Sequence, residues 1–247
     1  MFEALTAAEM AETDAKTIAG GVPGITLMTA AGAAVAEAVN ERFSQLPVLV
    51  LCGPGNNGGD GFIAAARLKK HGWKNVRVAC AVKKTALKKD ASLAAGQWEG
   101  EVENLNSNLS VHQTGLVIDA VFGTGLDRSL EPELVILFDK IRSRKIPVVA
   151  VDVPSGLNAT TGTVAEGALK ADLTITFTRK KTGQLLYPGR GACGAIIVAG
   201  IGITDETVAG LGVQCFENDP ALWLNDFPVP RHDGHKYTRG HVIVAGG

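Results

Sequence analysis

The segment Val48–Phe62, VLVLCGPGNNGGDGF, constrains this chain more than any other: an apolar run halts at glycine and restarts with helical spacing. That is the strand, glycine-rich turn and helix opening of a nucleotide-binding α/β unit, whose tight turn leaves backbone N–H groups facing a phosphate. Gly53, Gly55 and Gly58 satisfy G-x-G-x-x-G. Alone this is a weak signal, since glycines for a turn and asparagines for positive φ would read similarly. The insert sharpens it, because Asn56, Asn57 and Asp60 put two amides and a carboxylate where an ordinary dinucleotide loop needs only small residues. Such a loop also requires an acid roughly 20 residues on, at the end of the second strand, to hold the ribose. The second predicted strand, VRVACAV from Val76 to Val82, ends instead on Lys83 and Lys84. These read as a solvated basic turn or as a contact to a phosphorylated ribose. A standard NAD dehydrogenase is disfavoured.

The same pattern returns downstream. LVIDAVFG (Leu116 to Gly123) and PVVAVDVPSG (Pro147 to Gly156) are apolar runs that each reach an aspartate, Asp119 or Asp152, and then a short glycine loop. Their lack of alternation fits strands buried on both faces of a parallel sheet. A carboxylate ending such a strand is costly unless paired or ligating a cation. Further strands are expected at Ala171 to Phe177 and Gly194 to Ile203, with helices at Gly61 to His71, Thr85 to Gln97 and Pro132 to Arg144. Glu99 to Ser110, rich in asparagine and serine, reads as a surface loop. Ligands of open α/β sheets bind beyond the carboxyl ends of the strands, so Asn56, Asn57, Asp60, Asp119, Asp152 and Ser155 are expected in one crevice. The basic loop Arg179, Lys180 and Lys181 is either a solvated turn or a contact with an anionic ligand.

Before the glycine loop, residues 6 to 43 read as two helices broken at Gly20–Gly24. Thr6 and Glu9 have capping-box spacing. The second helix presents Leu27, Met28, Ala31, Val35 and Val39 on a narrow apolar face, which either packs on the chain's own sheet or forms a subunit interface. The fold class expected is α/β: a three-layer αβα, Rossmann-like, mostly parallel sheet with two extra N-terminal helices.

At 247 residues, 46% hydrophobic and with a formal net charge of −1, the chain has the composition of a soluble globular protein. Near-neutral charge and no long basic run give no reason to expect nucleic-acid binding. No apolar stretch is long enough to span a bilayer, and the acidic N-terminus lacks the basic opening of a secretory signal. Cys52, Cys80, Cys193 and Cys215 are widely spaced and read as reduced thiols, which implies a cytoplasmic protein. From about residue 216 the composition shifts to proline, aspartate and asparagine, as in a linker, before HVIVAGG at His241–Gly247 reads as a new strand. An unpaired strand there suggests the front part of a longer protein. His232 and His235 lack further ligands for a metal.

LMTAAG (Leu27 to Gly32), GPGNNGGDG (Gly53 to Gly61), VIDAVFGTGL (Val117 to Leu126), VVAVDVPSGLNATTG (Val148 to Gly162) and the pattern at Phe177, Lys181 and Gly183 resemble the NAD(P)HX epimerase family, the YjeF N-terminal domain. The resemblance covers nearly all of residues 1 to 215. The ending HKYTRGHVIVAGG resembles the entry into an ADP- or ATP-dependent NAD(P)HX dehydratase domain, to which this domain is fused in many bacterial proteins. The resemblance implies that hydrated NADH or NADPH, with a hydroxyl at C6 of the nicotinamide ring, is interconverted between R and S forms. It further implies that Asn56, Asn57, Gly58, Gly59 and Asp60 hold substrate, that Gly123, Thr124, Gly125, Leu126, Asp127, Arg128 and Ser129 cover the phosphates, and that Asp152 faces the substrate. Asn57, Asp119 and Ser155 would bind a potassium ion, and the protein would be a homodimer through its N-terminal helices. The family pattern has an acid in the second-helix motif where this chain has Thr29, which bears on subunit contacts more than on chemistry.

C6 carries both a hydroxyl and the ring nitrogen, so its configuration is lost by expelling the hydroxyl or by opening the ring. Either route moves a proton to or from oxygen. Asp152 is the first choice for that general acid/base and Asp60 the second. Two competitors stand beside this reading: a scaffold of the same fold without catalysis, and a nicotinamide oxidoreductase.

Overall fold

The computed structural model describes residues 2–125, 129–229, 232–235, 237 and 240–246. Its centre is a seven-stranded sheet in the order β3-β2-β1-β4-β5-β6-β7, every neighbouring pair parallel. The strands are β1 (Val48–Cys52), β2 (Val76–Cys80), β3 (Val102–Asn104), β4 (Leu116–Ala120), β5 (Val148–Val151), β6 (Leu173–Phe177) and β7 (Ala195–Ala199). Two of the N-terminal helices are α1 (Ala7–Ala19) and α2 (Gly24–Arg42); the others are α3 (Asn56–Lys70), α4 (Lys89–Gly96), α5 (Pro132–Ser143), α6 (Gly189–Cys193) and α7 (Asp205–Ala209).

Side-chain alternation splits the interior into two layers. Val48, Val50, Cys52, Leu116, Ile118 and Ala120 face one core with Val35, Val39, Phe62 and Ala65 of α2 and α3. Leu49, Leu51, Val117, Val148 and Ala150 face the other, with Leu134, Leu137, Phe138 and Ile141 of α5. Burial on both sides explains why the central strands read as unbroken apolar runs. The chain builds outward from β1 to β3, then returns to lay β4 against β1, with Cys52 opposite Ala120. The connections leaving β1 and β4 therefore diverge at this switch point and open a crevice at the carboxyl end of the sheet.

Several expectations change. α3 begins at Asn56 rather than Gly61, so the asparagines form the helix's first turn. The predicted loop Glu99 to Ser110 contains the edge strand β3, in which Val102 pairs with Val78. The predicted helix Thr85 to Gln97 divides into a short 3₁₀ turn, Lys84–Ala86, and α4. The capping box is present, with Thr6 Oγ1 accepting from Glu9 N at 3.2 Å and Glu9 Oε2 accepting from Thr6 N at 2.7 Å. Leu27, Met28, Ala31, Val35 and Val39 are all buried within the chain's own fold, so that face of α2 is core.

The first residues are clasped by the last part of the domain. Leu5 N donates to Lys180 O and Thr182 N to Leu5 O, each at 2.9 Å, while Ala4 N donates to Cys215 O at 2.9 Å. Glu3 pairs with Arg179 at 3.0 Å. Beyond residue 216 the described residues form two 3₁₀ turns, and Val242, Ile243 and Val244 are 90%, 93% and 87% exposed.

Candidate active site

A cavity of about 460 Å³ lies at the carboxyl end of the sheet. Met10, Ala11, Asp14 and Ile18 of α1 form one wall, and Leu27, Met28 and Ala31 of α2 adjoin it. The glycine loop and α3 contribute Pro54, Gly55, Asn56, Asn57 and Asp60, the connection after β4 contributes Phe122 to Gly125, and Asp90, Asp152, Phe177 and Lys181 add to the lining.

Close packing shapes the loop. A Cβ on Gly53 would overlap the backbone carbonyl of Val121, and one on Gly58 the carbonyl of Gly53. These two glycines let β1 turn into α3 while touching the neighbouring connection. Gly55, which lines the cavity, has nothing within 4 Å of its Cβ position among the described residues. The first-turn N–H groups of α3 have no side-chain cap, which leaves a helix N-terminus open to an anionic group. Gly58 and Gly59 are buried and Ser129 is exposed. Leu126, Asp127 and Arg128 lie outside the described residues.

Asp152 follows β5 in a left-handed conformation, φ +66°, which costs a non-glycine residue on the order of 1 kcal/mol. Neighbours over-determine it: its N–H donates to Ile175 O at 2.8 Å and its carbonyl accepts from Gln184 Nε2 at 2.9 Å. Strain held in this way marks functional positions. The fully buried Lys181 uses all three of its donors, on Asp152 Oδ1 at 2.6 Å, Thr176 Oγ1 at 2.9 Å and Phe177 O at 3.0 Å. Asp152 Oδ2 is left towards the cavity, where a Cβ placed on Gly123 would sit 3.4 Å from it and 3.1 Å from Asn57 Oδ1. Asp60 has no hydrogen-bond partner among the described residues; burial pushes its carboxyl well above the usual range, with the negative Asp152 and Asp14 adding to the rise. Asp14 likewise accepts no hydrogen bond from the described residues, and burial raises its carboxyl to about 6, against the pull of Lys181 and with a push from Asp152.

Behind the wall, Asp119 is completely buried. Its Oδ1 accepts from Ser155 Oγ at 2.6 Å and Val121 N at 3.3 Å, and its Oδ2 from Ser155 N at 2.8 Å. Burial raises this carboxyl as well, partly opposed by those bonds, and no basic side chain among the described residues pairs with it. The buried Asn57 Nδ2, an N–H donor, has no partner among the described residues. An oxygen-rich cluster of amide, carboxylate and hydroxyl with an unbalanced negative charge has the donor chemistry of a hard-cation site.

The cavity brings together Asn56, Asn57, Asp60 and Asp152, and Ser155, bonded to Asp119, accepts from Phe122 N of the same lining. Neither expectation for the basic loop survives. Arg179 is bound by Glu3 and Asp205, Lys180 by Glu217, and Lys181 by Asp152, so none is a solvated turn or a free anion contact. Lys84 Nζ donates to Trp98 O at 2.9 Å. Asp14, by contrast, lines the cavity unforeseen. Thr29 stays on its helix, its hydroxyl donating to Ile25 O at 2.7 Å, away from the cavity lining.

Residues 24–183, spanning α2 to the Lys181 segment, match the family described as YjeF-related protein N-terminus. The chain belongs to that family. It is 36% identical over 200 residues to the NAD(P)H-hydrate epimerase of Limosilactobacillus fermentum, covering 80% of this chain and 96% of that protein. To the bifunctional NAD(P)H-hydrate repair enzyme Nnr of Salinibacter ruber it is 32% identical over 271 residues, covering 98% of this chain and 49% of that protein. The chain thus spans nearly the full length of the first of these YjeF-related proteins and about half of the second. The crystal structure of yeast ynu0 superposes with a TM-score of 0.73 over 88% of this chain and 96% of that one, at 23% identity, a likeness of fold. No helix of the described residues is long and apolar enough to cross a membrane.

Proposed function

We propose that this chain epimerises the C6 hydroxyl of hydrated NADH and NADPH, a metabolite-repair isomerisation. The observation that carries the reading is Asp152, strained at the end of β5, locked through Oδ1 by Lys181 and presenting Oδ2 to the cavity. The names of its relatives, one an epimerase matched along 96% of its length, support the same activity. The open N-terminus of α3 and the connection Gly123 to Ser129 take the pyrophosphate, and the hydrated ring lies toward Asp152, Asp60 and Lys181. Asp152 moves the proton at the C6 oxygen, with Asp60 as the second carboxyl. A scaffold would not require unpartnered carboxyls in a cavity, so catalysis is the favoured reading.

Asn57, Asp119 and Ser155 would hold a potassium ion, a reading supported by the buried Asp119 carboxyl, which no basic side chain among the described residues pairs with, and by the amide and hydroxyl oxygens that Asn57 and Ser155 can add. Bound there, the ion would offset negative charge near the pyrophosphate. The homodimer is also a proposal; since the apolar face of α2 is core, its contacts would use other surfaces of the N-terminal helices. A cytoplasmic setting accords with the free thiols of Cys52, Cys80, Cys193 and Cys215. In the longer bifunctional relatives this domain is the front half, and an attached dehydratase activity is proposed for any such longer form of this protein.

The deciding experiment presents one C6 epimer of hydrated NADH to the purified protein and follows the R-to-S ratio by chromatography, with and without potassium. Equilibration faster than the spontaneous rate is expected. No acceleration under either condition refutes the proposal, and light scattering that finds only a monomer refutes the dimer.

A further inference from the structure

Two mechanisms remain for losing the configuration at C6, and the charge pattern of the cavity separates them. Asp14, Asp60, Asp90 and Asp152 all line it, against one basic residue among the described residues, Lys181, whose three donors are already spent. Asp60, only 8% exposed, and Asp14 both point into the cavity without a hydrogen-bond partner among the described residues. Ring opening forms C6=O as the C6–N1 bond breaks with its electron pair leaving on N1, so it builds negative charge on the leaving nitrogen, which surrounding carboxylates oppose and which would need a free donor or cation there. Expelling the hydroxyl builds positive charge on the ring, which surrounding carboxyls stabilise.

We propose that Asp14 of α1 is a catalytic residue of this site, which with Asp60 and Asp152 drives epimerisation through a cyclic iminium cation. This inference rests on the epimerase reading. A carboxylic acid on one wall donates its proton to the C6 hydroxyl. The C6–O bond breaks with its electron pair leaving on oxygen as water, and the N1 lone pair forms the N1=C6 bond of the cation. A solvent water then adds to the opposite face of C6, the pair returns to nitrogen, and the extra proton passes to a carboxylate there. Because the reaction runs both ways, each face needs its own proton carrier. Asp14 on α1 and Asp152 at the end of β5 supply carboxyls from separate walls, and Asp60 lies on a third element, α3. A carboxyl held near 6 by burial, as Asp14 is, exchanges protons readily near neutrality.

The test runs the reaction in ¹⁸O-water and reads the label at the C6 hydroxyl by mass spectrometry, corrected for uncatalysed exchange. One solvent oxygen per inversion is expected for the wild-type protein. For Asp14→Asn, kcat is expected to fall about 10²-fold or more with KM little changed, and the pH dependence governed by Asp14 is expected to vanish. Inversion with the original oxygen retained would overturn the iminium route while leaving the epimerase reading intact. An Asp14→Asn protein with wild-type kcat and pH profile would remove Asp14 from the chemistry. A wild-type protein that inverts nothing would overturn both readings, and is distinguished from the other outcomes by its unchanged R-to-S ratio.

Discussion

Lys181 Nζ lies 2.6 Å from Asp152 Oδ1, and the lysine is entirely sealed from solvent. The pair fixes which carboxylate oxygen the cavity sees. Removing either partner strands a buried charge, which typically costs about 3 kcal/mol or more. Lys181→Met is therefore expected to lower the Tm by about 6 to 12 °C and to cut activity, because Asp152 loses its anchor. Asp152→Asn should abolish turnover in a folded protein. The double variant is expected to be more stable than the sum of the two single losses, and thermal denaturation of all four proteins checks the coupling.

The glycines of the loop separate into two kinds. Gly53→Ala pushes a methyl into the Val121 carbonyl and is expected to destabilise by about 3 kcal/mol, visible in urea titration. Gly55→Ala meets nothing within 4 Å among the described residues and has an ordinary φ of −102°, so its Tm should match the wild type. Its KM should nevertheless rise by about tenfold, because the methyl stands where the substrate backs onto the loop.

Asp14 carries a stability signature whose sign follows from its raised carboxyl. Burial lifts it from 3.8 to about 6, so the folded protein binds this proton more tightly than the unfolded chain. Its contribution is full below pH 3.8 and is lost as pH rises through 6. Asp14→Asn removes that loss. The variant is expected to gain stability over wild type between pH 5 and pH 7.5, by on the order of 1 kcal/mol after allowance for partial exposure and for the opposing fields of Lys181 and Asp152. Chemical denaturation at the two pH values measures it; a gain independent of pH would contradict the assignment.

If Asn57, Asp119 and Ser155 hold potassium, the ion binds the folded chain only, and the Tm of the wild type should rise with potassium concentration at constant ionic strength set with lithium or tetramethylammonium. Ser155→Ala removes one oxygen ligand and a donor to Asp119, and should blunt that rise. A wild-type Tm indifferent to the choice of cation would argue against the site.

The sheet was legible in the letters because its central strands are buried on both faces and carry nothing polar except where a site requires it, as at Asp119. The edge was harder to read. Val102–Asn104 is a three-residue strand at the margin of the sheet, where one-sided burial tolerates Glu103 and Asn104, and its composition resembles a loop. Asn56 and Asn57 were hidden as helix residues because asparagine and glycine favour turns; in the fold they gain the first turn of α3 and the support of the neighbouring connection. Asp14 had no local sign at all. It lies on a helix among Glu12 and Lys16, whose side chains pair at the surface, and becomes half-buried only because α1 crosses the cavity from a distant part of the fold. Lys181 carries the same signal in the sequence as its two basic neighbours, because charge alone does not reveal which of them points inward.

The clasp of Leu5 by Lys180 and Thr182, and of Ala4 by Cys215, sets a timetable during synthesis. Leu5 emerges without these partners until about 175 more residues have been joined, some 9 to 35 s later at roughly 5–20 residues per second. By then β1, β4 and their glycine connections can already have met. The nascent chain would hold a pyrophosphate cradle well before α1 swings in with Asp14, so binding and turnover would be born at different times.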